Sequence, residues 1–274
     1  MIKAEVIADS ITETGHRLTT VQYRAPRCIL SELNTHRAFA RNARSSRAVP
    51  TSKLLEEVRN DPFIPQHWGK NQPGMQARSE LYGQAAEDCR EIWLEARNKA
   101  LHQVEGLLEY GVHKQVVNRL LEPWMWVDGL ISSTCWKNFF VLRCHDDAEP
   151  HMRKLAEAIR YAVGESWPAL RDEAEYHLPY ITAEERLHGD IHTVKYASAA
   201  RCARVSYRPF DGTSGCLDTD AEKGRAMAEH RPVHASPFEM VASADPFWME
   251  PAAHRNYRGW IQFRAELPDD TVRG

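Results

Sequence analysis

The 274-residue chain predicts an α+β fold, an antiparallel sheet flanked by helices that include long ones. Residues 2–9 and 17–25 read as two strands joined at Gly15, the pattern of a β-hairpin. Residues 77–110 are strongly helical in composition and stop at Gly111, in the manner of a C-cap. Residues 148–163 read as another helix, with Arg153, Lys154 and Arg160 in solvent.

The remaining elements follow in order. A helix over about 27–39 leads into an Arg- and Ser-rich loop that ends at Pro50. Residues 61–76 hold Pro62, Pro65, Gly69, Pro73 and Gly74, a long irregular loop of the kind that covers sites. Residues 112–121 form a short amphipathic helix stopped by Pro123, and Trp124-Met125-Trp126 makes an aromatic turn. In the stretch from Ser132 to Arg143, helical spacing puts Phe139, Phe140 and Leu142 on the core side. Asn138 and Arg143 are its polar exceptions, either structural hydrogen-bonders or ligand contacts. Residues 165–192 read as a helical connector interrupted at Pro168 and Pro179. Small residues suit 198–207 to a closely packed helix, and 210–220 to a loop. Residues 220–230 form a short helix, Ser236-Pro237 opens another, and 256–266 is the last element.

Composition narrows the function. The chain is 43% hydrophobic and 27% charged, and its net charge of −3 argues against a nucleic-acid coat. No apolar run reaches the length of a membrane span, and no signal-peptide pattern opens the sequence. The six cysteines lack CxxC pairing and read as reduced thiols, which implies a cytoplasmic protein. No metal site is expected: His230 and His234 flank Pro232 and lack the glutamate of a zinc-protease motif.

The chemistry concentrates at Thr35-His36-Arg37-Ala38-Phe39-Ala40-Arg41-Asn42-Ala43-Arg44-Ser45-Ser46-Arg47, with no carboxylate between Glu32 and Glu56. On a helix, Arg37, Arg41 and Arg44 would share one face. Clustered cations call for a multivalent anion, and arginine binds phosphate oxygens bidentately. A basic loop on a chain of net negative charge therefore favours a small anionic ligand.

His36-Arg37, Asn42, Ser45 and Arg47, with Ala25-Pro26 eleven residues before the motif arginine, resemble the signature of flavin-dependent thymidylate synthases. Three more blocks share the resemblance. They are Gly111-Val112 to Pro123, Asn138-Phe139-Phe140-Val141-Leu142-Arg143, and Ala203-Arg204-Val205-Ser206-Tyr207 with His234-Ala235-Ser236-Pro237-Phe238-Glu239. Glu32, Thr35 and Ala43 stand where the family usually has Gln, Arg and Glu, and Asn118 stands where it has Arg, so neighbouring Arg119 is the substitute. The last block normally opens family members and here closes the chain, so the blocks run in circularly permuted order. Residues 1–274 would then be one domain, with 1–163 carrying the first blocks, 164–195 a connector and 196–274 the permuted segment.

The resemblance implies methylation of dUMP to dTMP, with FAD as hydride source, NADPH as its reductant and methylenetetrahydrofolate as carbon donor. It places His36, Arg37, Asn42, Ser132, Thr134, Asn138, Ser206, Ser236 and Glu239 at the flavin. It places Ser45, Arg47 and Arg143 at the nucleotide, with Glu32, Arg44 and Arg119 beside them. Arg143 would be the catalytic side chain, stabilising charge on the uracil. A homotetramer is implied, with sites built from several subunits. Gln262 and Arg264 would lie near the nucleotide on a last helix, in place of the missing Gln and Arg. Two other readings stay open: the same fold acting on another pyrimidine nucleotide or hydroxymethylating it, and a non-enzymatic nucleotide or RNA binder.

Overall fold

Strands β1 (Lys3–Thr12) and β2 (Arg17–Pro26) pair antiparallel through a turn in which Gly15 takes φ 85°. The left-handed conformation there suits glycine. The computed structural model describes residues 1–205 and 215–267. After β2 the chain makes a 3-10 turn at Arg27–Ile29 and one turn of helix, α1 (Leu30–Leu33). It then enters β3 (Ala40–Ala43), α2 (Thr51–Asn60), α3 (Gln84–Glu109) and α4 (Lys114–Val117). A 3-10 segment at Asn118–Trp124 precedes β4 (Trp126–Ser133), α5 (Lys137–Arg143) and α6 (Pro150–Glu165). Next come β5 (Ala169–Arg171), β6 (Tyr176–His177), α7 (Ala183–His188), α8 (Ile191–Arg204) and α9 (Leu217–Glu229). A 3-10 turn at Ser236–Glu239 and strands β7 (Ala242–Ala244) and β8 (Trp260–Gln262) follow.

The main sheet has the order β3-β4-β2-β1-β5, antiparallel except for β5, which joins β1 in parallel. A small second sheet runs β6-β7-β8. The fold is α+β, with α3 as its longest helix among the described residues.

Strand alternation divides the main sheet into two buried faces. Val21 and Tyr23 of β2 and Val127 and Ile131 of β4 point to α6, where Met152, Leu155 and Ile159 complete a core with Leu33, Phe39 and Phe139. Leu18 and Leu130 point the other way, to Cys202 and Val205 at the end of α8 and to Met240 and Trp260. A third cluster joins Leu54, Leu55 and Val58 of α2 to Leu101 and Val104 of α3, with Val117, Leu121 and Trp124 below. At roughly 25 cal/mol per Å² of apolar surface, burial on both faces is the main term holding the sheet in place.

Several expectations change. The 27–39 helix shrinks to a 3-10 turn and α1, and the Arg motif continues as strand β3 on the edge of β4. The three arginines therefore do not share a helical face. Asn42 and Arg44 are buried, whereas Arg41 lies on the opposite side of the pleat and Arg37 is exposed before the strand. Residues Trp126–Ser133 form β4 although Asp128 and Gly129 are poor strand formers, because the segment pairs with β2 on one side and β3 on the other. Leu142 is 52% exposed, because α5 ends one turn after its anchor Phe139. Residues 165–192 contain β5 and β6, and α7 supplies their only complete helix. The last element is strand β8 followed by a 3-10 turn, with Gln262 buried in the small sheet. The helix expected from 77 starts at Gln84.

Candidate functional site

The polar centre of the α5 side is Arg143, at the last residue of α5. Phe139, buried one turn earlier, fixes that end of the helix against Phe39 and His36. Arg143 Nε donates to His36 Nε2 at 2.9 Å, one terminal nitrogen donates to Glu32 at 3.2 Å, and the other to the Thr35 hydroxyl at 3.3 Å. All three partners come from α1 and the turn after it. Each terminal nitrogen keeps a second N–H with no acceptor among the described residues. Burial, then the positive fields of Arg143 and Arg41, hold the His36 pKa below the usual histidine value. A neutral ring accepting at Nε2 carries its proton on Nδ1. The arrangement is an oriented, partly exposed guanidinium able to take an oxygen anion or carbonyl.

The second patch is the loop after β3. Asn42 turns to the α8 side and donates to the Cys202 carbonyl at 2.9 Å. Arg44 is only 4% exposed and is gripped bidentately by Glu57, with both contacts 2.8 Å. Ser46, also buried, donates to Glu122 at 2.8 Å. Asn118 lies under the loop, donating to the carbonyls of Ser46 and Val49 and accepting from Thr51. What the loop leaves toward solvent are Ser45 and the exposed Arg47, whose side chains have no partner among the described residues.

The other expected residues scatter between these patches and the second face. Ser132 is buried against the Thr20 hydroxyl at 2.6 Å, in a line that continues to His177. Thr134 accepts from the Arg258 amide at 3.1 Å. Glu239 pairs with Arg264, and its carbonyl accepts from Tyr257 at 2.7 Å. Ser236 opens the 3-10 turn that packs on β3, so the C-terminal block meets the Arg motif within one chain. Gln262 donates to Asn256 at 2.6 Å. Arg37 and Asn138 are exposed, with side chains unpartnered among the described residues, and Arg119 is exposed beside Glu122. Ser206 lies outside the described residues.

The structure thus gathers Glu32, His36 and Arg143 in one patch and Arg44, Ser45 and Arg47 in another. Sequence reading missed Arg27, Glu57 and Glu122 and the part Asn118 plays under the loop. Two of these had a signal: Glu122 lies one helical turn after Arg119, and Arg27 directly follows Ala25-Pro26. Glu57 had none, since it reaches Arg44 from another element.

A family model described as thymidylate synthase complementing protein matches residues 10–169, more than half of the chain. The chain belongs to the thymidylate synthase complementing protein family. The matched span runs from β1 to β5 and contains both polar patches, the Arg143 cluster and the 44–47 loop. Among solved structures, a UMP/dUMP methylase, PolB from Streptomyces cacaoi bound with 5-Br dUMP, is 14% identical with a TM-score of 0.51. It covers 60% of this chain and 90% of that one. Thymidylate Synthase X from Helicobacter pylori, with FAD and dUMP, is 18% identical with a TM-score of 0.40, covering 54% and 67%. The likeness to PolB is one of fold. No curated protein sequence matches the chain.

Proposed function

We propose that this family member is a flavin-dependent methylase that converts dUMP to dTMP. The observation that carries the reading is Arg143, held by His36, Glu32 and Thr35 with N–H groups to spare, within the span matched by the family. Methylating uracil at its fifth carbon places negative charge on the ring oxygens, and a fixed guanidinium stabilises it without reorganising. Arg143 is the residue assigned to that task, with neutral His36 and Glu32 keeping its plane.

Ser45 and Arg47 are the phosphate ligands in this account, being the unpartnered donors of a loop that Asn118 and Glu57 make rigid. Arg44, already neutralised by Glu57, contributes its field and the shape of the loop, and Arg119 lies at its rim. The FAD residues are His36, Arg37, Asn42, Ser132, Thr134, Asn138, Ser206, Ser236 and Glu239. The exposed, unpartnered Arg37 and Asn138 suit the phosphates and carbonyls of a flavin nucleotide. Asn42 and Ser132 are hydrogen-bonded within the chain and would order the backbone beside the flavin. When bound, FAD supplies hydride, with methylenetetrahydrofolate as the carbon source and NADPH as reductant. No helix among the described residues is long and apolar enough to cross a membrane.

The same reading makes the chain one working unit over 1–274, with 164–195 connecting a permuted segment 196–274. The packing of the Ser236–Glu239 turn on β3 supports it. A homotetramer in the cytoplasm, with sites shared between subunits, completes the proposal. Glu32 and Thr35, placed directly on Arg143, favour one second reading: a related pyrimidine nucleotide, or a hydroxymethyl product.

Absorbance titration with FAD, followed by sedimentation, tests the reading. A flavin-binding tetramer is expected. A monomer without flavin affinity overturns it.

A further inference from the structure

The oxygen Oε1 of Glu122 is ion-paired with two arginines and accepts from a hydroxyl. Arg27 reaches it at 3.1 Å, Arg119 at 3.4 Å and the Ser46 hydroxyl at 2.8 Å. Arg27 is mostly buried, anchored by its amide on the Met125 carbonyl and by its other terminal nitrogen on the Arg44 carbonyl at 3.3 Å. Its buried Nε has no acceptor among the described residues. Beside the carboxylate opens a cleft of about 580 Å³, lined by Arg27, Cys28, Ser31, Asn34, Arg119 and Glu122. That volume suits a mononucleotide-sized ligand.

Two guanidinium groups and a hydroxyl converging on one oxygen make the donor set that binds a phosphate. Here an internal carboxylate fills it. We propose that Glu122 is a built-in stand-in for phosphate, so that a phosphomonoester dianion entering the cleft displaces it and takes over Arg27, Arg119 and Ser46. The exchange is physically open because Glu122 lies at the edge of the cleft, with a side chain 26% exposed and able to turn to water. The carboxylate keeps the two arginines from repelling each other while the site is empty, and it sets a threshold that only a more highly charged anion passes. The inference deepens the nucleotide reading, since Ser46 lies between the proposed phosphate ligands Ser45 and Arg47, but it requires only phosphate.

Glu122→Gln separates the outcomes, because it keeps the shape and removes the charge. Calorimetric titration of the full-length chain with inorganic phosphate, dUMP and deoxyuridine is the experiment. Phosphate and dUMP should bind the variant about tenfold tighter than the wild type, with the gain shrinking at high salt. Deoxyuridine, lacking the phosphate, should gain nothing. Arg27→Gln should weaken phosphate binding whether or not Glu122 is changed, so the idea stays testable if Glu122→Gln folds poorly. If the wild type binds dUMP and Glu122→Gln leaves phosphate unchanged or weaker, Glu122 is an anchor and the inference is overturned with the nucleotide reading intact. Indifference of phosphate to Arg27→Gln overturns it as well. If the variant tightens phosphate while neither protein takes dUMP, the phosphate site stands and the nucleotide reading falls.

Discussion

Arg143 donates through Nε to the ring nitrogen Nε2 of His36 at 2.9 Å, joining the end of α5 to the turn after α1. The two residues sit more than a hundred positions apart in sequence, and the contact orients a guanidinium that Glu32 and Thr35 also hold. Replacing Arg143 by Gln should therefore lower kcat/KM for dUMP by roughly 1.5–3 kcal/mol of transition-state stabilisation, with little change in stability. Steady-state kinetics with a parallel denaturation curve checks both halves. Glu32→Gln, which removes one tether, should cost less.

Arg47 is exposed and unpartnered, so removing it leaves the fold alone. Arg47→Ala should weaken dUMP by roughly 1.5–3 kcal/mol, the range of a charge-assisted hydrogen bond, and leave FAD bound. Equilibrium titration of both ligands reads it. Unchanged dUMP affinity with lost flavin would mean that the two roles are exchanged.

Asn118 makes its contribution through the backbone. With Ala at this position, the carbonyls of Ser46 and Val49 and the Thr51 hydroxyl lose their partner in a buried place. The loss should be about 2–3 kcal/mol in urea unfolding. A variant as stable as the wild type would show that water replaces the side chain.

Buried His177 bonds the hydroxyls of Ser10 and Thr20, and burial lowers its pKa to about 3. The folded state thus holds the neutral ring, whereas the unfolded chain protonates near pH 6.5. Its stabilisation is complete above about pH 6.5 and is lost progressively as pH falls toward 3, and His36 acts in the same direction. His177→Asn should flatten the acid limb of the stability curve between about pH 6 and 4. Thermal melts across that range decide it.

Much of this was legible in local sequence. The hairpin at Gly15, the long helix closed by Gly111 and the second half of α8 each follow from periodicity, turn residues and side-chain size. Arg143 was legible too, as a polar exception on an apolar helix. The strand character of the Arg motif was not, because Ala40 to Ala43 becomes a strand only by pairing with β4. For the same reason Arg44 and Arg47 looked alike in sequence. Only the fold brings Glu57 to one and leaves the other open to solvent. Glu32 and Thr35 looked like departures from a pattern, and their common partner became visible once the fold brought Arg143 beside them.

The central claim, flavin-dependent methylation of dUMP, is tested most directly by mass analysis of the nucleotide after incubation with FAD, NADPH and methylenetetrahydrofolate. The account predicts dTMP, formed only when both FAD and the folate are present and formed more slowly by Arg143→Gln. Recovery of unchanged dUMP from a protein that has bound FAD and dUMP would contradict it.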